Sequence, residues 1–278
     1  MRIGGVEMAS ETTKSHPYHM VDPSPWPLVG TISAFTIAVG GIWFMHDGPW
    51  ALLALGFALL LFTFYGWWRD VIREANSGIH HTEVVRHGLR VGMLLFIASE
   101  VMFFFAFFWA FFDASVPFLS RTAHEVWPPE GIVPLHTWGL PFLNTLILLT
   151  SGATVTIAHH AIRHGDREKT ALWTGITVAL GFLFLGLQIL EYHEAAFTFT
   201  DGIYPSTFFM ATGFHGFHVF VGACFLAVCF FRARAGQFTA DQHVGFEAAA
   251  WYWHFVDVVW LFLFVSVYWW GSSGFQGH

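Results

Sequence analysis

Three groups of ionisable side chains sit inside otherwise apolar runs, where only lipid or protein can surround them. Glu100 lies in Ser99-Glu100-Val101-Met102-Phe103-Phe104-Phe105, with no cation within a turn on its own helix. A charge at such depth is costly, so each group of this kind is a functional candidate. Burial disfavours the carboxylate form, and Glu100 is therefore expected to be neutral. It could exchange protons or react as a carboxyl; equally, it could hydrogen-bond a neighbouring helix as packing glue. His215 and His218 lie in Gly213-Phe214-His215-Gly216-Phe217-His218. Their i,i+3 spacing puts them on one helical face, from which two imidazoles could meet one metal. No third ligand is evident, and the glycines allow close helix approach, so separate hydrogen bonds to other helices fit the pattern better. His254 and Asp257 repeat the i,i+3 spacing and are expected to bond each other or a partner on a neighbouring span. His215, His218, His254 and Asp257 are thus read as buried polar groups with a structural role. Nothing in one sequence places Asp257 near Glu100.

The elements that carry these residues follow from composition. Only 11% of the 278 residues are Asp, Glu, Lys or Arg, while 55% are hydrophobic, and the mean hydropathy is +0.55. Soluble domains carry about 25% charged residues; a chain this poor in charge cannot cover a water-facing surface. Its 33 Phe and 14 Trp suit lipid-facing cores and interfacial aromatic belts. No basic run suggests nucleic-acid binding. A bilayer core needs about 20 apolar residues per helix. Seven stretches qualify: Leu28–Met45, Trp50–Trp68, Val91–Phe112, Leu140–His160, Ala171–Glu191, Ser206–Phe231 and Phe246–Trp270. Gly, Pro, Asn and Asp punctuate the breaks. Strands of a membrane barrel would be about ten residues long and alternating, so the expected class is all-α, a polytopic membrane protein of seven transmembrane helices. Residues 1–26 are polar and lack the apolar run of a cleavable signal peptide, so the first span is expected to act as its own insertion signal.

Charge distribution predicts orientation. With the N-terminus inside, Arg2, Lys14, Arg69, Arg73, Arg86, Arg90, Arg163, Arg167, Lys169, Arg232 and Arg234 fall on the inner side and Arg121 alone outside, the positive-inside pattern. The organisation expected is a polar inner tail (1–26), helices one and two (27–69), a charged inner linker (70–90), helices three to seven (91–272) and an outer tail (273–278). The linker suggests a two-helix unit and a five-helix unit with a cleft between them. An odd span count and the lack of an internal repeat argue against an inverted-repeat transporter.

Other polar residues read more plainly. Trp67, Trp68, Arg69, Arg73, Glu74, His80, His81 and Arg86 crowd the inner linker. Indole at headgroup depth and Arg on phosphate would suit phospholipid; generic anchoring would account for the same residues. His159 and His160 read as interfacial anchors, and Glu191, His193 and Glu194 as a solvated helix end. Cys224 and Cys229, about 7.5 Å apart along a helix, cannot form an unstrained disulfide and read as small core hydrophobes. Neither a heme-attachment motif nor a metal-ligand set is legible.

Several segments resemble the cytochrome c oxidase subunit III family. They are His19-Met20-Val21-Asp22-Pro23-Ser24-Pro25-Trp26-Pro27, Trp67-Trp68-Arg69-Asp70-Val71-Ile72-Arg73-Glu74, Phe96-Ile97-Ala98-Ser99-Glu100-Val101, Trp127-Pro128-Pro129 and Ala158-His159-His160. The match continues through Ala211-Thr212-Gly213-Phe214-His215-Gly216-Phe217-His218, Gly245-Phe246-Glu247-Ala248 and Trp251-Tyr252-Trp253-His254-Phe255-Val256-Asp257-Val258-Val259-Trp260. The resemblance implies a subunit, without a catalytic centre of its own, of a proton-pumping oxidoreductase that passes electrons from cytochrome c to oxygen. Its implied partners are oxidase subunits I and II, which hold the heme and copper, and membrane phospholipid; cytochrome c is met only indirectly. It also implies a bacterial or mitochondrial inner membrane, a role in sustaining proton uptake and the stability of the catalytic subunits, and a carbodiimide-reactive carboxyl at Glu100. Lipid contacts carry over to Trp68, Arg73, Glu74, His81, Arg232 and His243. The family often has Lys and His shortly after the arginine matching Arg232, where this chain has Ala235 and Gln237. A quinol oxidase subunit III would share the fold and differ in its partner, whose subunit II would lack copper. A proton-coupled transporter would need a substrate path of its own.

Overall fold

A computed structural model of the chain describes residues 16–116 and 126–273. The elements are helices: α1 Trp26–Met45, α2 Ala51–Asn76, α3 Glu83–Ser115, α4 Leu140–Arg163, α5 Arg167–Glu194, α6 Ile203–Arg234 and α7 Val244–Leu263. α7 passes into a π-helical segment, Phe264–Trp270, and a last turn, α8, Gly271–Ser273. The seven transmembrane helices expected from composition are present, each long and apolar enough to cross a membrane. Their ends run past the apolar windows. Most of the expected 70–90 linker is helical, because α2 continues to Asn76 and α3 starts at Glu83, leaving 77–82 between them. Hydropathy marks where hydrocarbon ends, whereas backbone hydrogen bonding carries a helix on into the headgroup zone. Arg2, Lys14 and Arg121 lie outside the described residues.

The chain divides into two compact units, one up to Leu89 and one from Arg90, so the division falls within α3. In the first, α1 and α2 form a hairpin built on small residues. A Cβ on Gly40 would lie 2.6 Å from the Leu53 backbone nitrogen, and one on Gly56 would lie 2.7 Å from that of Ile37. The Ser33 hydroxyl, wholly buried, donates to the Gly56 carbonyl at 3.0 Å. Backbones this close gain dispersion contacts that side chains against lipid cannot, which is why membrane helix pairs favour small residues.

The second unit is held by α4, α5, α6 and α7 around tryptophan. Trp253 and Trp260 of α7 are fully buried. The Trp253 indole N–H donates to the Ser151 hydroxyl (2.8 Å) and that of Trp260 to Thr145 (2.9 Å). Gly181 of α5 and Gly222 of α6 leave the space that the Trp253 ring fills. Away from water every indole N–H needs a partner, and the hydroxyls of α4 supply it. Near the end of the seventh span, Thr137 donates to the Tyr268 carbonyl (2.7 Å), a partner for backbone that has left regular α-helical bonding. Most large exposed side chains are Phe, Leu, Val, Ile, Trp or Met, as lipid or neighbouring chains require. Cys229 is buried as expected; Cys224 is exposed and corrects that reading, since a helix whose one side packs the core turns its other side to lipid.

Candidate functional site

Of the mid-span polar groups other than Asp257, all four bond across helices: Glu100 with His218, His215 with α7 and His254 with α4. Glu100 of α3 meets His218 of α6, with Oε2 2.8 Å from Nε2. The other imidazole nitrogen, Nδ1, lies 2.6 Å from the Phe214 carbonyl. A carbonyl only accepts, so Nδ1 carries a proton and donates it. One further proton must then lie between Nε2 and the carboxyl, giving either Glu100–OH with neutral imidazole or an ion pair. Phe104 and Phe103 crowd the ring, at 4.9 Å and 5.8 Å between centroids, and Tyr252 stacks at 6.4 Å.

His215, one turn before His218, goes elsewhere: its Nε2 bonds the Val256 carbonyl of α7 at 3.1 Å. The two rings share a helical face yet serve different helices, so they do not converge on a common ligand. His254 Nδ1 lies 3.6 Å from Asp257 Oδ2, and its Nε2 lies 3.2 Å from the Thr156 hydroxyl. A Cβ on Gly152 would fall 2.3 Å from that same Asp257 oxygen, so the glycine makes room for the carboxyl. The Glu100–His218, His215–Val256 and His254–Thr156 contacts each tie a helix to its neighbour, whereas His254–Asp257 lies within α7.

Glu191 requires a correction. Read as part of a solvated helix end, it is buried at 1% exposure. Its Oε1 accepts from the Tyr268 hydroxyl (2.6 Å) and from the Gln188 amide (3.1 Å). α5 continues to Glu194, so Glu191 sits on an inward-facing turn rather than at the fray. Gln188, on the same face three residues earlier, is the local signal; Tyr268, on another span, is invisible in sequence.

The expected lipid residues fall in both units. In the first, Trp26 donates its indole N–H to Asp70 Oδ2 (2.7 Å), and Asp70 also holds Arg69 (3.0 Å) and Arg73 (3.5 Å). Arg73 is 69% exposed at its side chain, and Trp68 is also exposed. Glu74 lies 4.0 Å from His19, whose ring packs on His80 at 4.5 Å. His81 is partly buried beside them in sequence. In the second unit, the Arg232 guanidinium lies over the Phe238 ring at 4.4 Å and donates to the Gln237 amide oxygen (3.1 Å). His243 is 8% exposed, with Nδ1 bonded to the Thr239 carbonyl (3.0 Å). At the turn between α4 and α5, the Asp166 carboxyl caps the Lys169 backbone N–H (3.0 Å). The Lys169 side chain beside it holds Asp166 below its ordinary carboxylate range.

Sequence reading passed over one group near the ends of α3, α4 and α7. Arg90 donates from Nε to Glu247 Oε2 at 2.7 Å and from a terminal nitrogen to Oε1 at 3.3 Å. His243 Nε2 lies 3.4 Å from Oε1, and His159 packs against His243. His159, read as an interfacial anchor, is instead partly buried, while His160 is exposed. The α4 register turns only the first of the adjacent pair inward.

Seven helices long and apolar enough to cross a membrane, with buried polar pairs tying neighbours within each unit, define a polytopic integral membrane protein. Residues 16–272 match the family described as cytochrome c oxidase subunit III. The chain is 58% identical over 263 residues to cytochrome c oxidase subunit 3 of Prototheca wickerhamii, covering 94% of this chain and all of that protein. It is 57% identical over 265 residues to that of Marchantia polymorpha (94% and 99% covered). With that of Carassius auratus it shares 56% over 260 residues (93% and 99% covered). The chain belongs to the cytochrome c oxidase subunit III family.

Proposed function

We propose that this chain is the non-redox subunit III of a proton-pumping oxidase, holding phospholipid at its inner side and sustaining proton uptake and turnover in subunits I and II. Heme and copper belong to those partners, which receive electrons from cytochrome c and pass them to oxygen. The observation that carries the reading is family membership across residues 16–272 together with arginines set beside aromatic rings at inner helix ends. Arg73 and Trp68, both exposed along the end of α2, together with Glu74 and His81, form a headgroup surface on the first unit, where Arg69 lies over the Trp26 ring. Arg232 over Phe238 forms one on the second, and His243 supports it by fixing the loop that leads into α7. Gln237, standing where the family often has a basic residue, accepts from Arg232 and so orients its guanidinium without adding charge. The membrane is the respiratory inner membrane, mitochondrial or bacterial.

A charge-assisted arginine–phosphate contact contributes roughly 1.5–3 kcal/mol when desolvated and less on an open surface. An Arg73→Ala plus Arg232→Ala complex should therefore retain less phospholipid by mass spectrometry. It should start at a normal rate of cytochrome c oxidation but lose activity faster during turnover. Unchanged lipid content and an unchanged turnover lifetime in an assembled double variant would overturn the proposal.

A further inference from the structure

The inner ends of α4 and α7 bring together three ligating side chains that lie far apart in sequence. His159, His243 and Glu247 each turn one ligand atom towards a common point, all within 4.8 Å of one another. His243 Nδ1 faces the Thr239 carbonyl at 3.0 Å and must donate to it, which leaves Nε2 with a lone pair in the neutral ring. That lone pair faces Glu247 Oε1 at 3.4 Å. Two acceptors confront each other there, a repulsive arrangement unless a cation or an added proton lies between them. His159 Nε2 is buried and has no hydrogen-bond partner among the described residues.

The surroundings match those of a metal site. Metal-bound histidines commonly donate their other N–H to a carbonyl, as His243 does to Thr239, and ligating carboxylates are themselves hydrogen-bonded. Arg90 holds Glu247 mainly by Oε2 (2.7 Å) and more loosely by Oε1 (3.3 Å). The oxygen nearer His243 is thus the less tightly held of the two and the better placed to coordinate. Phe246, fully buried, packs on the His159 ring at 6.1 Å and walls one side. Two imidazoles and one carboxylate form a borderline donor set suited to zinc, which takes three protein ligands plus water in open sites.

We propose that His159, His243 and Glu247 bind one Zn2+ at the inner end of the α4–α7 pair. Tetrahedral zinc with bonds of about 2.0–2.1 Å sets ligand atoms ~3.3 Å apart. The His243–Glu247 separation is already of that size, so closure falls to His159, whose Nε2 no hydrogen bond restrains. Arg90 and the nearby Arg163 weaken the site electrostatically, and binding is expected to be far weaker than at an all-protein structural zinc site. The ion is redox-inert and takes no electrons; it would fix the α4–α7 inner end as a bridge between helices.

The test is zinc content. The purified oxidase complex, dialysed against buffered Zn2+, is compared with a complex carrying His159→Gln, a change that leaves the Arg90–Glu247 and His243–Thr239 contacts in place. The variant should hold one zinc fewer per copy of this chain. Equal zinc in an assembled variant would overturn the site. If the variant fails to assemble, anomalous scattering at the zinc edge from the Zn2+-equilibrated wild-type complex decides. A peak among the three side chains supports the proposal. Its absence there overturns it and assigns the His243–Glu247 gap to a proton.

Discussion

Glu100 and His218 show how one proton can decide the character of a site. With Nδ1 of His218 committed to the Phe214 carbonyl, the 2.8 Å contact to Glu100 holds one proton, on the carboxyl or on Nε2. A glutamine can supply a donor there: its amide N–H can reach the same Nε2. Glu100→Gln should therefore preserve assembly, electron transfer and most proton pumping, with stability within about 1 kcal/mol of the parent. Glu100→Ala leaves a partly buried nitrogen unpaired and should cost about 1–3 kcal/mol. Thermal denaturation of the complex and protons ejected per electron check both variants. Loss of pumping in an assembled Glu100→Gln complex would make the carboxyl a proton carrier instead. Sequence reading marked Glu100 and both histidines by depth alone. It had no means of joining Glu100 to His218, because their positions differ by 118 residues and a helix period carries no information about its neighbours.

At the scale of elements, glycine placement decides which helices meet. Gly40 and Gly41 are adjacent in α1, yet a Cβ on Gly40 strikes the α2 backbone while one on Gly41 meets nothing within 4 Å. Backbone cannot swing aside as a side-chain tip can. Gly40→Ala is expected to loosen the α1–α2 hairpin by about 1–3 kcal/mol, the usual cost of overpacking. Gly41→Ala should be neutral or slightly stabilising, since alanine is the better helix former. Thermal unfolding of the two variants in the same complex reads the difference, and the reverse order would show that the hairpin is packed otherwise. Helix existence was legible from hydropathy because a bilayer demands a minimum apolar length. Helix ends were not, as α2 and α3 show by running into the charged 70–90 stretch, where sequence reading expected a linker.

For the whole molecule, the distribution of Lys and Arg predicts an inner N-terminus and an outer C-terminus. Eleven of the twelve then lie inside, the side where positive loops are retained during insertion. Thr200 and Asp241 are exposed in loops at opposite ends of α6. In a chain lacking Cys224 and Cys229, a cysteine at Thr200 should react with an impermeant reagent only from outside. One at Asp241 should react only from inside. Labelling with the sides exchanged would invert the topology.

Sequence by itself determined the class and the span count, since lipid penalises every uncovered charge and backbone group and so writes its thickness into the chain as apolar length. It also carried the family, through long ordered motifs, and the candidates at membrane depth. Tertiary structure alone decided which polar groups face each other. It sent His215 to α7 and His218 to α3, brought Tyr268 to Glu191, and gathered His159, His243 and Glu247 around one point. Those choices depend on the rotation and approach of whole helices, set by where Gly40, Gly56, Gly181 and Gly222 let backbones or indole rings come close, and by which hydroxyl lies within reach of a buried tryptophan. Such distances are properties of packed surfaces, and no spacing along a single chain encodes them.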